Sequence, residues 1–260
     1  METDRDVGVR AGRVGAAPPP SPAWWPAGLL VTPAARAAVA FHSVPATSAW
    51  RQRCDSCGDR LRYPWLSRAF LPMARCAGCR ARVGAPPFTV ELALVAAAVA
   101  LVIAGRPVLE TVALAVWSLF AVVLLFVDAA VHRLPDRLTY PAALLTAVLL
   151  GVAAVVGDRG GAWIRAMIAG VATAAVFAAL TFALGRRGPG LGDAKLMLSA
   201  GAVLGWLGWS ALLSGLVLAF FAQGLWAVAL LVSRRVSRTS HLAMGPFVIG
   251  ATVVMIALAR

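Results

Sequence analysis

Seven apolar stretches fill the chain from residue 88 to residue 259, at about 88–105, 108–130, 139–157, 163–184, 195–207, 208–233 and 243–259. A spanning helix needs ~20 apolar residues. Most of the seven approach that length, and the fifth is short enough that it is expected to tilt or to lie partly buried in protein. In hydrocarbon every backbone N–H and C=O must be satisfied without water, so such segments read as helices. An eighth segment at 24–41 opens on Trp24 and Trp25, which suit a membrane interface, but Pro26, Pro33 and Arg36 interrupt it. The predicted fold class is therefore an all-α polytopic membrane protein with seven to eight transmembrane helices. With 60% of its 260 residues hydrophobic and 13% charged, an ordinary soluble domain is excluded.

Composition divides the rest of the chain. Residues 1–22 mix charge with Gly, Ala and the run Pro18-Pro19-Pro20 and show no apolar period, so they read as a disordered tail and not as a signal peptide. Residues 23–45 hold the first membrane or interfacial helix, 46–87 form a polar segment with eight arginines and all four cysteines, and 88–260 form the membrane domain. The net charge of +13 raises the question of nucleic acid. The arginines, however, gather between apolar segments, as in cytoplasmic loops of membrane proteins, and no nucleic-acid partner is expected. Alternating the spans puts 46–87, 131–138, 185–195 and 234–242 on one side, with sixteen Lys/Arg residues against four on the other. That bias orients these loops toward the cytoplasm.

Two aspartates are embedded in or abut apolar helix sequence. Asp128 closes the run Leu124-Leu125-Phe126-Val127, and Asp193 sits in the glycine-rich turn Gly188-Pro189-Gly190-Leu191-Gly192-Asp193-Ala194-Lys195. Desolvating a carboxylate costs several kcal/mol on the order of that for any buried charge, so an acid at bilayer depth marks a functional site by default. The topology places both at similar depth on the cytoplasmic side, on different helices. Two acids within reach of each other share a proton, so one can activate water while the other polarises a peptide carbonyl. Gly190 and Gly192, lacking Cβ, would let a substrate backbone or a partner helix come close to Asp193. Other readings stay open: Asp193 as the cap of a helix starting at Ala194, or the pair as a proton relay in a proton-coupled transporter. Lys195, the chain's one lysine, is either a snorkelling anchor or a counter-charge for Asp193. Asp136 follows Pro135 and reads as a turn or N-cap residue. The Gly188 to Lys195 stretch is no phosphate loop, because Leu196 stands where that motif needs Ser or Thr.

Cys54-Asp55-Ser56-Cys57 and Cys76-Ala77-Gly78-Cys79 stand eighteen residues apart. This spacing matches a four-thiolate zinc ribbon, predicted as a small cytoplasmic zinc-ribbon-like insert. Four thiolates leave no position for water, so this zinc would be structural. The surrounding arginines would meet anionic membrane lipid or a polar part of a substrate.

Four blocks in order carry a resemblance. They are the paired Cys-x-x-Cys segment leading through Val90-Glu91-Leu92 into a span, Val127-Asp128 running to Leu134-Pro135-Asp136-Arg137-Leu138-Thr139, Gly190-Leu191-Gly192-Asp193-Ala194-Lys195, and Gly245-Pro246-Phe247. Together they resemble the type IV prepilin peptidases, aspartic proteases of the bacterial inner membrane. The resemblance implies that Asp128 and Asp193 are the catalytic pair, that Asp136 accompanies them, and that 88–260 is the peptidase domain. It further implies that the substrates are prepilins of type IV pili or pseudopilins of protein secretion, whose basic leader is removed at the cytoplasmic face. Many members also methylate the new N-terminus with S-adenosylmethionine. The chain departs from the family pattern after its first segment, where Ser43-Val44-Pro45 replaces Arg-Leu-Pro.

Overall fold

A computed structural model describes residues 25–45, 50–61, 68–185, 188–234 and 243–259, and the tail expected at 1–22 lies outside them. The described residues form eight α-helices and no β-strand. They are α1 (Trp25–His42), α2 (Thr89–Ala104), α3 (Val108–Val131), α4 (Asp136–Val156), α5 (Gly160–Leu184), α6 (Leu191–Leu207), α7 (Trp209–Val232) and α8 (Gly245–Leu258), with a short 3-10 turn at Arg68–Phe70. By length and composition α3, α4, α5 and α7 can cross a membrane, while α2 and α8 are apolar but shorter.

Helix α6 is the short fifth stretch, and it is buried in protein as expected. Every residue from Ser199 to Trp206 is buried, so the helix is covered on all sides. Small residues make this enclosure close. A Cβ on Gly170 of α5 would stand 2.6 Å from the carbonyl oxygen of Leu198, and one on Gly205 of α6 would overlap the Cβ of Ala169. The two backbones therefore touch along Gly170, Gly201 and Gly205, the geometry that small residues allow between membrane helices. The Thr173 hydroxyl satisfies itself on the carbonyl of Ala169 at 2.6 Å.

Apart from the two aspartates described below, charged side chains in and beside the apolar segments find partners. Arg36 does not break α1, which runs on through Pro33. Its guanidinium clasps Glu91 of α2 with two bonds of 2.6 Å and donates to the Pro86 carbonyl at 3.1 Å. At the opposite end of the bundle Glu110 of α3, 2% exposed, accepts from Arg106, from Arg159 and from the indole N–H of Trp206 in α6. Arg165 donates to the carbonyls of Gly205 and Trp206, and Arg106 to that of Ala259, closing the last turns of α6 and α8.

Substituting Gly205→Ala tests the α5/α6 contact. Alanine normally gains ~1 kcal/mol over glycine inside a helix. Here the sign is expected to reverse, with destabilisation of about 1–3 kcal/mol from overpacking. Thermal unfolding in detergent reads the sign directly.

Candidate active site

Asp128 lies in the last turn of α3 and is 4% exposed. The helix ends where His132 turns left-handed, at φ 50°, and its N–H caps the Asp128 carbonyl at 2.8 Å. One donor meets the Asp128 carboxylate: the backbone N–H of Gly245, at 3.1 Å from Oδ2. Gly245 is the first residue of α8, where backbone N–H groups lack intrahelical acceptors. A Cβ there would stand 2.6 Å from that same oxygen, so the approach requires glycine.

Asp193 sits in the first turn of α6, not at its cap; the N-cap is Gly190. The N–H of Gly190 donates to Asp193 Oδ2 at 3.0 Å. A carboxylate in this position also faces the positive end of the helix. Gly192 serves the packing of the protein itself, since a Cβ there would stand 3.3 Å from the Cβ of Leu134 in the α3/α4 connection. Neither carboxylate accepts another hydrogen bond among the described residues. The second oxygen of each is thus left to the cavities around it.

Two cavities, about 870 Å3 and 580 Å3, meet at these acids. Asp128, Asp193, His132 and Gly190 line both. The smaller cavity is polar, bounded by His42, Trp50, Arg133, Arg137 and Lys195, with the Arg137 guanidinium 4.8 Å above the Trp50 ring. Lys195 pairs with Asp136 at 2.6 Å and lies 5.5 Å from the centre of the Tyr140 ring. Asp136 opens α4 behind Pro135, which occupies the cap position. The pair links α4 to α6 beside the acids, and it is exposed enough that its net stabilisation is ~1 kcal/mol or less.

The four cysteines converge as the sequence spacing predicts. Each Cys-x-x-Cys forms a tight turn, with Gly58 N–H on the Cys54 carbonyl at 2.9 Å and Arg80 N–H on the Cys76 carbonyl at 3.1 Å. All four sulfurs fall within 4.8 Å of one another, close enough to hold a metal ion. Cys54 to Cys79 and Cys57 to Cys76 are both 3.7 Å, too long for a disulfide at ~2.04 Å. The Ser56 N–H brings the Cys54 thiol down from 9.0 to about 7, against the effect of burial. Although the Asp59 N–H lowers it, Cys57 is pushed up to about 12 by the thiol of Cys79, burial and the remaining thiols. Four sulfurs this close cannot all ionise unless a cation sits among them. The segment packs on α1 through Leu61, Phe70 and Val83 against Ala37 and Ala40, with Phe41 edge-on to Phe70 at 5.5 Å.

Comparison with known proteins places these features. The type IV leader peptidase family matches residues 113–233, which contain Asp128, Asp136 and Asp193. A prepilin leader peptidase/N-methyltransferase of Aeromonas hydrophila is 32% identical over 203 residues, covering 76% of this chain and 68% of the relative. The chain belongs to the type IV leader peptidase family. It is a membrane peptidase. A relative of the same name in Aeromonas salmonicida (strain A449) is 30% identical over 199 residues, 74% of this chain and 67% of its own. Another in Dichelobacter nodosus is 35% identical over 153 residues, 56% and 51%. No solved structure matches the chain significantly.

Sequence reasoning did not find the role of Gly245 as donor to Asp128, although the block Gly245-Pro246-Phe247 marked the place. A proline directly after a glycine at the start of an apolar run signals a helix N-terminus, with an orphan N–H to offer. Gly245→Ala is expected to displace the Asp128 carboxylate by about 1 Å and to lower peptidase turnover on the order of a hundredfold. Steady-state cleavage kinetics in detergent, beside an unchanged unfolding temperature, would check it.

Proposed function

We propose that this peptidase removes the basic leader from type IV prepilins or pseudopilins, using water activated between Asp128 and Asp193. The observation that carries the reading is the junction of two cavities at these carboxylates, which line both cavities and are each held by a single backbone N–H. Two such acids cannot both be ionised in close company, so they hold one proton between them. The ionised member accepts a proton from water as it attacks the scissile carbonyl. The protonated member donates to the carbonyl oxygen, and the leaving nitrogen is protonated as the tetrahedral intermediate collapses. The titration belongs to the pair, so neither residue carries a fixed acid or base role.

The cytoplasmic face of a bacterial inner membrane is the setting that the arginine bias supports. The packing of α2, α6 and α8 among the four longer helices supports a bundle of seven to eight spans. For the cysteines we favour zinc. A tetrahedron with metal–sulfur bonds of ~2.3 Å has edges of ~3.8 Å, matching the two 3.7 Å separations. Cys54, Cys57, Cys76 and Cys79 would hold it, and its contribution is to cross-link the two turns; hydrolysis uses none of it. S-adenosylmethionine is a different case. The polar cavity beside the acids is lined by Asp128, Asp136 and Asp193 as well as by Arg133, Arg137 and Lys195, a mixed set that does not single out a sulfonium, and no methyl-transfer step is derived.

Asp128→Asn and Asp193→Asn are each expected to reduce leader removal in membranes by about a thousandfold or more. Full activity in either variant would dismiss the pair. Elemental analysis of purified protein is expected to give one zinc per chain. Cys76→Ser combined with Cys79→Ser should lose the metal and lower the unfolding temperature.

A further inference from the structure

The larger cavity does more than surround the acids. Helices α5 and α7 both flank α6, yet among the described residues they have no extended contact with each other. They meet through Phe177 and Phe220, whose ring centres are 6.1 Å apart. Beside this aromatic floor the cavity of about 870 Å3 lies between them, with Leu180 and Leu184 on the α5 wall. On the α7 wall Phe220, Gln223, Gly224 and Ala227 form one helical stripe, spaced i, i+3, i+4 and i+7. The rims are apolar and uncovered: Leu184 is 52% exposed and Phe220 50%. The α7 lining runs from Phe220 to Ala227, seven residues or ~10 Å along that helix. On two long apolar helices this opening faces the acyl chains rather than water.

Gln223 specifies the occupant further. It is half-buried in an otherwise apolar part of α7, and its amide makes no hydrogen bond among the described residues. An amide without a partner at bilayer depth costs a few kcal/mol on the order given for an unsatisfied polar group. A regular apolar helix offers it nothing, because its peptide groups are already satisfied; an unwound turn of peptide offers both N–H and C=O.

We infer that the α5/α7 cleft is a lateral entry through which an apolar, helical segment of the substrate passes from the bilayer, its end unwound on Gln223 before it reaches Asp128 and Asp193. The inference rests on the peptidase reading above and adds a docking surface to it. An uncovered apolar cleft ending at a carboxylate pair fits a membrane-embedded peptide, and a soluble ligand would have no use for rims that face lipid. Gly224 leaves the cleft open at this wall, since a Cβ built there meets nothing within 4 Å.

Gly224→Trp tests the inference, because position 224 lines the cleft and a Cβ there has open space around it, so the indole would enter the cleft. Two substrates are compared in detergent micelles: a full-length prepilin-type protein, and a water-soluble peptide that carries the cleavage sequence without the apolar segment. Gly224→Trp is expected to raise KM for the embedded substrate by about tenfold or more and to leave the soluble peptide within about twofold. Gln223→Leu should lower kcat/KM for the embedded substrate, with partial recovery in Gln223→Asn. A photo-crosslinking residue at 224 should capture the apolar segment, while one at Trp226, on the opposite face and 53% exposed, should not. Normal cleavage of the embedded substrate by Gly224→Trp, equal loss on both substrates, or equal capture from 224 and 226 would overturn the lateral entry. Failure of the peptidase reading itself looks different, since Asp128→Asn and Asp193→Asn would then retain cleavage of both substrates.

Discussion

A carboxylate at the end of an apolar helix has to find its donor inside the protein, and for Asp128 that donor is one backbone N–H at the start of α8. The bond at 3.1 Å ties the end of α3 to the beginning of a helix more than a hundred residues away in sequence. It also dictates glycine at 245, because any side chain would occupy the space of the carboxylate oxygen. The contrast with Glu110 is instructive. That carboxylate has three donors, two of them arginine, and is a closed unit at the far end of the same helix. Asp128 and Asp193 receive one neutral N–H apiece among the described residues and line the two cavities. Within one bundle, then, one buried carboxylate is fully partnered and two are not, and it is the incompletely partnered pair that the proposed chemistry uses.

The readable part of this site was the part written in short-range pattern. Asp128 and Asp193 stood out because their neighbours are apolar, and the four cysteines because a metal-binding turn has a fixed local spacing. Helix α6 was visible as a short apolar run, and burial in protein was one of the two outcomes, beside tilting, that its length allowed. The unreadable part consists of contacts between distant segments. Arg36 looked like an interruption of the first helix because Glu91, fifty-five residues later, could not be seen beside it. Lys195 was weighed against Asp193, its near neighbour, but its ammonium group reaches Asp136 on α4 instead. Glu110 drew no attention at all, since a glutamate soon after Pro107 at the start of a helix resembles a solvated first-turn acid.

The cysteine turns and the membrane bundle are mechanically joined. Helix α1 carries the cysteine segment on one part of its surface, through Ala37 and Ala40. Its Ala35 and Val39 pack with Val90 of α2 and with Val122, Val123 and Val127 of α3, the last beside Asp128. A metal held by these cysteines would stiffen the polar segment, and ordinary van der Waals packing would carry that stiffness to the helix that bears the first aspartate.

Helix α6 also bears on how such a protein is made. At 17 residues it spans ~26 Å, short of the ~30 Å hydrocarbon core, and it begins with Asp193 and Lys195 in its first turn and a half. A translocation channel that selects segments by hydropathy meets a weak signal here, flanked by two strong ones in α5 and α7. Its backbone-close contact with α5 can form only after that neighbour has been released into the bilayer. The second aspartate therefore rides on the helix with the weakest insertion signal, and its place depends on the backbone-close contact with α5.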